Sequence, residues 1–172
     1  MATASTRHST RLAAVSIALW GISATSWAQT FTADSAMPVK IEIIQACTIS
    51  ATDLDFGQYN LSSPSPALGQ TQIRVTCGAG VVVELSLDNG LAPGPNTSRR
   101  RMRQDAGNDR LNYGLFQDAG RTMHWGDKPG VDTREMVTTG YPQTVPIYGE
   151  IPAGQRANDG TYSDEITVRL QF

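Results

Sequence analysis

Cys47 and Cys77, His124, one dense basic run and a scatter of carboxylates are the side chains of this 172-residue chain whose chemistry comes first into question. Two thiols can form a structural bridge, a redox pair or part of a metal site. Cys-x-x-Cys spacing is absent and the chain has only His8 and His124 to add imidazole ligands, so the simplest reading in an oxidising compartment is one disulfide, Cys47–Cys77. His124 sits in TMHWGD, where Asp118 and Asp127 are its nearest acidic company in sequence, and nothing in the spacing aligns them; it reads as an ordinary surface or strand histidine. Glycoside hydrolysis would need two carboxylates facing one cleft, and no nucleophile elbow, phosphate loop or zinc signature accompanies the acids present. Accordingly no catalytic residue, no metal ligand and no cofactor is expected, and the chain does not read as an enzyme. The run SRRRMR, Ser98 to Arg103, could touch phosphate, acidic polysaccharide or a membrane surface, but after APGPNT it reads as a solvated loop leading into a strand.

The compartment follows from the front of the chain. Residues 1–28 combine basic Arg7 and Arg11, an apolar stretch starting at LAAVSIALW, and a small-residue SWA finish, which is the pattern of a signal peptide cut after Ala28. Ser16, Gly21, Ser23 and Thr25 dilute the stretch below what a membrane anchor requires. Removal of this segment takes away two arginines and no acid, moving the formal charge from −2 to −4 and leaving one ordinary domain's worth of chain. A mildly acidic domain without charge bias gives no reason to expect nucleic acid.

Short alternating runs divided by Gly, Pro, Asn and Asp follow, without sustained helical periodicity. QIRVTC sets Ile73, Val75 and Cys77 on one face; VVVELSL sets Val81, Val83, Leu85 and Leu87 together before a turn at Asp88-Asn89-Gly90. Leu111, Tyr113 and Leu115 share a parity, as do Met123 and Trp125, and Val145, Ile147 and Ile151. Pro146 cannot donate to a ladder, so its run is expected at an edge or a bulge. The expected fold class is all-β, an antiparallel β-sandwich.

The two ends of the secreted part are themselves patterned. GTYSDEITVRLQF places Tyr162, Asp164, Ile166, Val168, Leu170 and Phe172 on one side of a terminal strand. Ahead of the first cysteine, Phe31, Ala33, Ser35, Met37, Val39, Ile41 and Ile43 alternate with polar residues over up to thirteen positions. Periodicity alone leaves open whether that segment is a bent first strand of its own sandwich, a frayed arm, or a strand for another chain.

Several stretches carry a family resemblance: ACTIS at Cys47, LDFGQYN at Leu54, IRVTCGAG at Cys77, LDNG at Leu87, then RMRQ, LNYGLFQDAGRTMHWGD, VPIYGEIPAGQ and the terminal GTYSDEITVRLQF. In that order they resemble the spore coat U domain family, whose members include the Csu-type pilins of archaic chaperone–usher fimbriae. The resemblance implies an incomplete immunoglobulin-like sandwich lacking its final strand, with an N-terminal donor-strand extension. It implies residues 29–40 as the extension and 41–172 as the domain, and it implies a fold role for part of the SRRRMR run. Phe31, Ala33, Ser35, Met37, Val39 and Ile41 would form the donor face. Ile166, Val168, Leu170 and Phe172 would line the acceptor groove, held first by a periplasmic pilus chaperone and then, past an outer-membrane usher, by the neighbouring subunit. The implied function is a secreted structural subunit of surface fibres, reaching the cell surface through the periplasm and serving adhesion or biofilm formation. The alternatives are a self-complete secreted binding module or a spore or outer-coat protein.

Overall fold

The structure is a computed structural model and describes residues 38–42, 44, 46–92 and 94–172. The chain divides into two units, Met1–Ile41 and Glu42–Phe172. The second holds nine strands and, among the described residues, no helix. They are β1 (Cys47–Ala51), β2 (Ala67–Cys77), β3 (Ala79–Leu87), β4 (Arg100–Gln104), β5 (Arg110–Phe116), β6 (Arg134–Thr139), β7 (Gln143–Ile151), β8 (Tyr162–Ser163) and β9 (Val168–Gln171). Every strand pairing is antiparallel. One sheet has the order β1-β2-β7-β5-β4-β8 and the other β6-β3-β9, so the domain is a two-sheet, immunoglobulin-like sandwich.

Alternation in the sequence explains the layering. Ile73 and Val75 from β2, Val83, Leu85 and Leu87 from β3, Leu111, Tyr113 and Leu115 from β5, and Val145, Ile147 and Ile151 from β7 point inward and form one buried cluster with Trp125. Each fully buried large apolar side chain contributes about 1.5–3 kcal/mol before ordering costs. The longest pairing, β2 with β7, runs from Ala67↔Ile151 to Val75↔Gln143 and supplies the backbone of the six-stranded sheet. An extra residue in β3 between Ala79 and Val82 makes a bulge against β6. The buried Thr138 hydroxyl serves the bulge, accepting from the Val81 N–H at 3.2 Å and reaching the Gly78 and Val81 carbonyls, so the disturbed ladder leaves these groups paired.

Three expectations change on contact with this architecture. β7 is an interior strand of its sheet, but β5 covers only Tyr148–Glu150, so Pro146 lies in the half with a neighbour on one side, opposite Gln72. The missing N–H is tolerated there for the reason an edge position would tolerate it. Met123 and Trp125 do not share a face: Trp125 is fully buried and Met123 is 54% exposed, because the segment forms a loop with a single bridge at His124 instead of a strand. The terminal run is also not one strand. It pairs with β4 as β8, crosses between the sheets over Asp164–Thr167, and pairs with β3 as β9.

Candidate functional site

Among the described residues, the inner face of the sandwich is open beside β9. A groove of about 1240 Å³ has a floor that includes Met102, Leu111, Tyr113, Leu115, Ile147 and Ile151; Ile166 and Val168 border it from the terminal segment, and residues 51–62 border it from the segment after β1. β9 pairs with β3 on one side, and no strand occupies its other side among the described residues. Ile166, Val168 and Leu170 pack on the core yet remain half-buried, whereas Leu85 on the neighbouring β3 has no exposure at all. Phe172 is 61% exposed. An unpaired edge with half-covered apolar side chains is what a missing neighbour strand would leave.

Glycine shapes the opposite bank. Gly69 and Gly149 are directly opposed across β2 and β7. A Cβ on Gly69 would stand 2.8 Å from Leu54 Cδ1, and one on Gly149 would stand 2.6 Å from Phe56 Cζ. The bare backbone lets the LDFG segment lay Leu54 and Phe56 flat on the sheet. Phe56 meets Tyr113 edge-on at 6.3 Å between ring centroids. Gly57 turns the chain with φ of 65°, and its N–H donates to Asp55 Oδ1 at 2.7 Å. Tyr59 then anchors the segment by donating to the Pro152 carbonyl at 2.8 Å.

A polar network fixes where the terminal segment changes sheets. Asp164 lies on the parity of the inward apolar residues, and its carboxylate accepts from Tyr113 Oη at 2.6 Å and from the Leu91 and Ala92 N–H groups at 2.9 and 3.2 Å. Gly90 is tight against the same carboxylate, leaving no room for a side chain. Burial, reinforced by this bond to Asp164, pushes the Tyr113 hydroxyl far above the ordinary tyrosine range and keeps it a donor. Asp88 accepts from the Thr167 and Gly90 N–H groups, both at 3.0 Å. Burial works to raise the Asp88 pKa, but the bonds from Thr167 and Gly90 and the charge of Arg100 outweigh it and hold the group below the usual carboxylate range.

Arg100 is the residue that reading the sequence as a solvated loop misplaced. It opens β4 and is fully buried. Its guanidinium donates to the carbonyls of Asp88 (2.7 Å), Thr97 (2.6 Å), Leu87 (2.8 Å) and Trp125 (2.9 Å). Burial pulls its pKa down, and Tyr113, Asp88, Asp127 and Asp132 oppose that pull. The available signal was parity: Arg100 and Met102 alternate with Arg99, Arg101 and Arg103, and β5 sets Tyr113 and Leu111 opposite the first pair. The network of Asp88, Tyr113 and Asp164 carried no comparable signal, since its members are distant in sequence.

The remaining sequence-selected residues fall as follows. Cys47 and Cys77 are disulfide-bonded, register partners that tie β1 to β2 across a separation of 30 residues. His124 is exposed and lies against the Phe116 ring at 4.5 Å between centroids. Of the donor-face residues, Val39 and Ile41 are 82% and 85% exposed, and the described residues between Pro38 and Ala46 form no strand. Phe31, Ala33, Ser35 and Met37 lie outside the described residues.

Fold and groove together define an immunoglobulin-like sandwich in which, among the described residues, the place of one strand beside β9 is unfilled. The chain belongs to the Spore Coat Protein U domain family, whose model matches residues 33–169. It is similar to Protein U of Myxococcus xanthus, with 31% identity over 176 residues that cover 95% of this chain and 97% of that protein. Among solved structures it resembles the CsuC–CsuE chaperone–tip adhesion subunit pre-assembly complex from archaic chaperone–usher Csu pili of Acinetobacter baumannii, at 25% identity and a TM-score of 0.55. That match covers 76% of this chain and only 40% of the solved one. The minor tip subunit of the E. coli Hda pilus, HdaB, matches at 12% identity and a TM-score of 0.43, over 72% of this chain and 82% of that one.

Proposed function

We propose that this chain is a secreted, non-enzymatic structural subunit of surface fibres that polymerises by donor-strand exchange. The observation that carries the reading is the groove with an apolar floor, bordered by half-covered Ile166 and Val168, beside the side of β9 that has no partner among the described residues. A strand added there would complete the three-stranded sheet through backbone hydrogen bonds, while its alternate side chains entered the groove and set register. In this reading residues 1–28 are removed as a signal peptide, residues 29–40 form the donor strand, and residues 41–172 form the accepting domain. Phe31, Ala33, Ser35, Met37, Val39 and Ile41 face into a neighbour's groove against Ile166, Val168, Leu170 and Phe172. Small Ala33 and Ser35 fill their positions weakly and mark where exchange begins.

A spare strand on one subunit and an open groove on the next make a heterologous, head-to-tail contact, which does not close and so grows into filaments. Each large apolar side chain buried on insertion adds about 1.5–3 kcal/mol before ordering costs. Before assembly the open edge is an aggregation hazard, which a periplasmic chaperone covers; the likeness to a chaperone–subunit complex supports that step. An outer-membrane usher then passes the subunit to its neighbours at the cell surface, where the fibre serves adhesion or biofilm formation.

The test compares the secreted chain with a version lacking residues 29–39 on an unheated denaturing gel of periplasmic extracts. A ladder that collapses on boiling and vanishes with the deletion is expected. A stable monomer in both cases, obtained without a chaperone, would overturn the proposal and leave a self-complete binding sandwich.

A further inference from the structure

The basic run that the core absorbs only at Arg100 leaves Arg101 and Arg103 on the opposite side of the same hairpin, where β5 adds Arg110. Inward Met102, Leu111 and Tyr113 line the groove, so Arg101, Arg103 and Arg110 point to the outer face of the sheet. Arg103 and Arg110 are directly opposed, both exposed, and Arg101 is next in the row opposite Asn112. Like charges set opposite one another across a ladder are unfavourable. Neither β4 nor β5 contains an aspartate or glutamate to relieve them. The connecting turn places two carboxylates at one end of the row, Asp105, which accepts from Ser163 Oγ, and Asp109, which accepts from the backbone N–H and the side-chain amide of Asn158, so the hairpin sets three arginines against two acids. This cationic row stands on a chain whose overall charge is −2, so it is not a by-product of a basic composition.

The geometry points to this face as a binding surface for an acidic polysaccharide. Cross-strand positions about 5 Å apart and same-strand positions about 7 Å apart set these arginines in a row, with the Arg110 guanidinium resting on the Asn108 and Asp109 carbonyls, and such a row suits carboxylates repeated along an extended polymer. Arginine is the side chain matched to such groups, because its planar fork meets a carboxylate bidentately. The neighbours sharing the row, Asn112 and Ser163, are polar. With no exposed aromatic among them the row lacks the stacking platform that single-stranded nucleic acid uses. With no apolar wedge it also lacks what a membrane-inserting face needs. A strand seated in the groove would lie on the other side of the hairpin, so filling the groove does not by itself cover the row.

The experiment measures binding of the secreted chain to immobilised polygalacturonate and to neutral dextran across a salt series. The wild-type protein should bind polygalacturonate, release as salt rises, and ignore dextran. Arg103→Gln with Arg110→Gln should weaken binding about tenfold. Arg74→Gln with Lys128→Gln, which removes the same charge from other exposed positions, should leave it unchanged. Equal losses in the two double variants, absence of wild-type binding at low salt, or variant-sensitive binding to an oligonucleotide or to phosphatidylglycerol vesicles instead of polygalacturonate would each overturn the assignment. Should the Arg103 and Arg110 variant fail to fold, modification of the wild-type arginines by a dicarbonyl reagent decides the matter. Soluble polygalacturonate is expected to shield Arg103 and Arg110 and to spare Arg74, and uniform shielding or none would sink the proposal.

Discussion

Among the described residues the interior of the sandwich has a closed end at Arg100 and an open end along β9, and the two adjoin where Leu87, whose carbonyl takes the Arg100 guanidinium, pairs with Val168. Around Arg100 and Trp125 the chain satisfies itself: the guanidinium meets four backbone carbonyls, the Trp125 indole donates to the Leu85 carbonyl at 3.0 Å, and both side chains are fully buried. Along Ile166, Val168 and Leu170 apolar side chains are half-covered, and one side of the strand has no partner among the described residues. The buried donors of Arg100 and Trp125 thus find their partners within the domain, although Asn89 Oδ1 beside them does not, whereas the apolar side chains of the terminal segment stay half-covered. The difference separates what the domain needs in order to fold from what it can offer to a partner, and substitutions at the two ends should have different signatures.

The largest effect belongs to the closed end. Arg100→Ala strands four buried carbonyls and should cost about 3–5 kcal/mol in urea-induced unfolding. A loss under about 1 kcal/mol would mean that water or neighbouring groups replace the guanidinium, and the contrast between the ends would dissolve. Replacing Cys47 and Cys77 together with serine frees a loop closed across a sequence separation of 30 and should cost about 3–4 kcal/mol by the same measurement. Next comes the junction between the two ends. Tyr113→Phe removes one bond to Asp164 while the Leu91 and Ala92 N–H groups remain, so a loss of about 1–2 kcal/mol is expected.

At the open end the order of effects should invert. Val168→Ala, at a half-buried position, should change domain stability by only about 1 kcal/mol, yet weaken capture of a synthetic peptide spanning residues 29–41 by more than that, read by calorimetry. Equal losses in stability and capture would show that the groove is merely loose core. The smallest effect is in pH. The folded-state pKa of Asp88 lies below its unfolded value, so the stabilisation it brings is complete above about pH 4 and fades as pH falls through the folded value. Asp88→Asn should flatten that acid limb of an unfolding profile, and an unchanged limb would assign the acid sensitivity to other carboxylates.

Much of the fold was legible because its signal is local. Period-two alternation placed Ile73, Val75, Val83, Leu85, Leu115, Val145 and Ile147 inside, and all are buried. Cys47 and Cys77 were legible as a pair because no other cysteine could compete. Positions whose environment is set by distant residues were not. Trp125 and Met123 share a parity, yet a loop sends one into the core and the other into solvent. Arg100 looked solvated because an isolated guanidinium belongs in water, and the carbonyls of Leu87, Asp88 and Trp125 that receive it come from elsewhere in the chain. The terminal run read as one strand because alternation continues unbroken through Asp164, whereas the carboxylate there serves the Tyr113 hydroxyl and the Leu91 and Ala92 amides and marks the change of sheet. Alternation tells which side of a strand is dry; it does not tell which sheet the strand joins.

That crossing has a mechanical consequence. The terminal segment is hydrogen-bonded to β4 at Ser163 and Tyr162, passes between the layers, and is hydrogen-bonded to β3 from Val168 to Gln171. Tension applied along it runs parallel to both ladders, so the rungs carry the load together in shear and are not peeled off in turn. The pull is also divided between two sheets, with the Asp164 carboxylate as the rivet between the two lengths of strand.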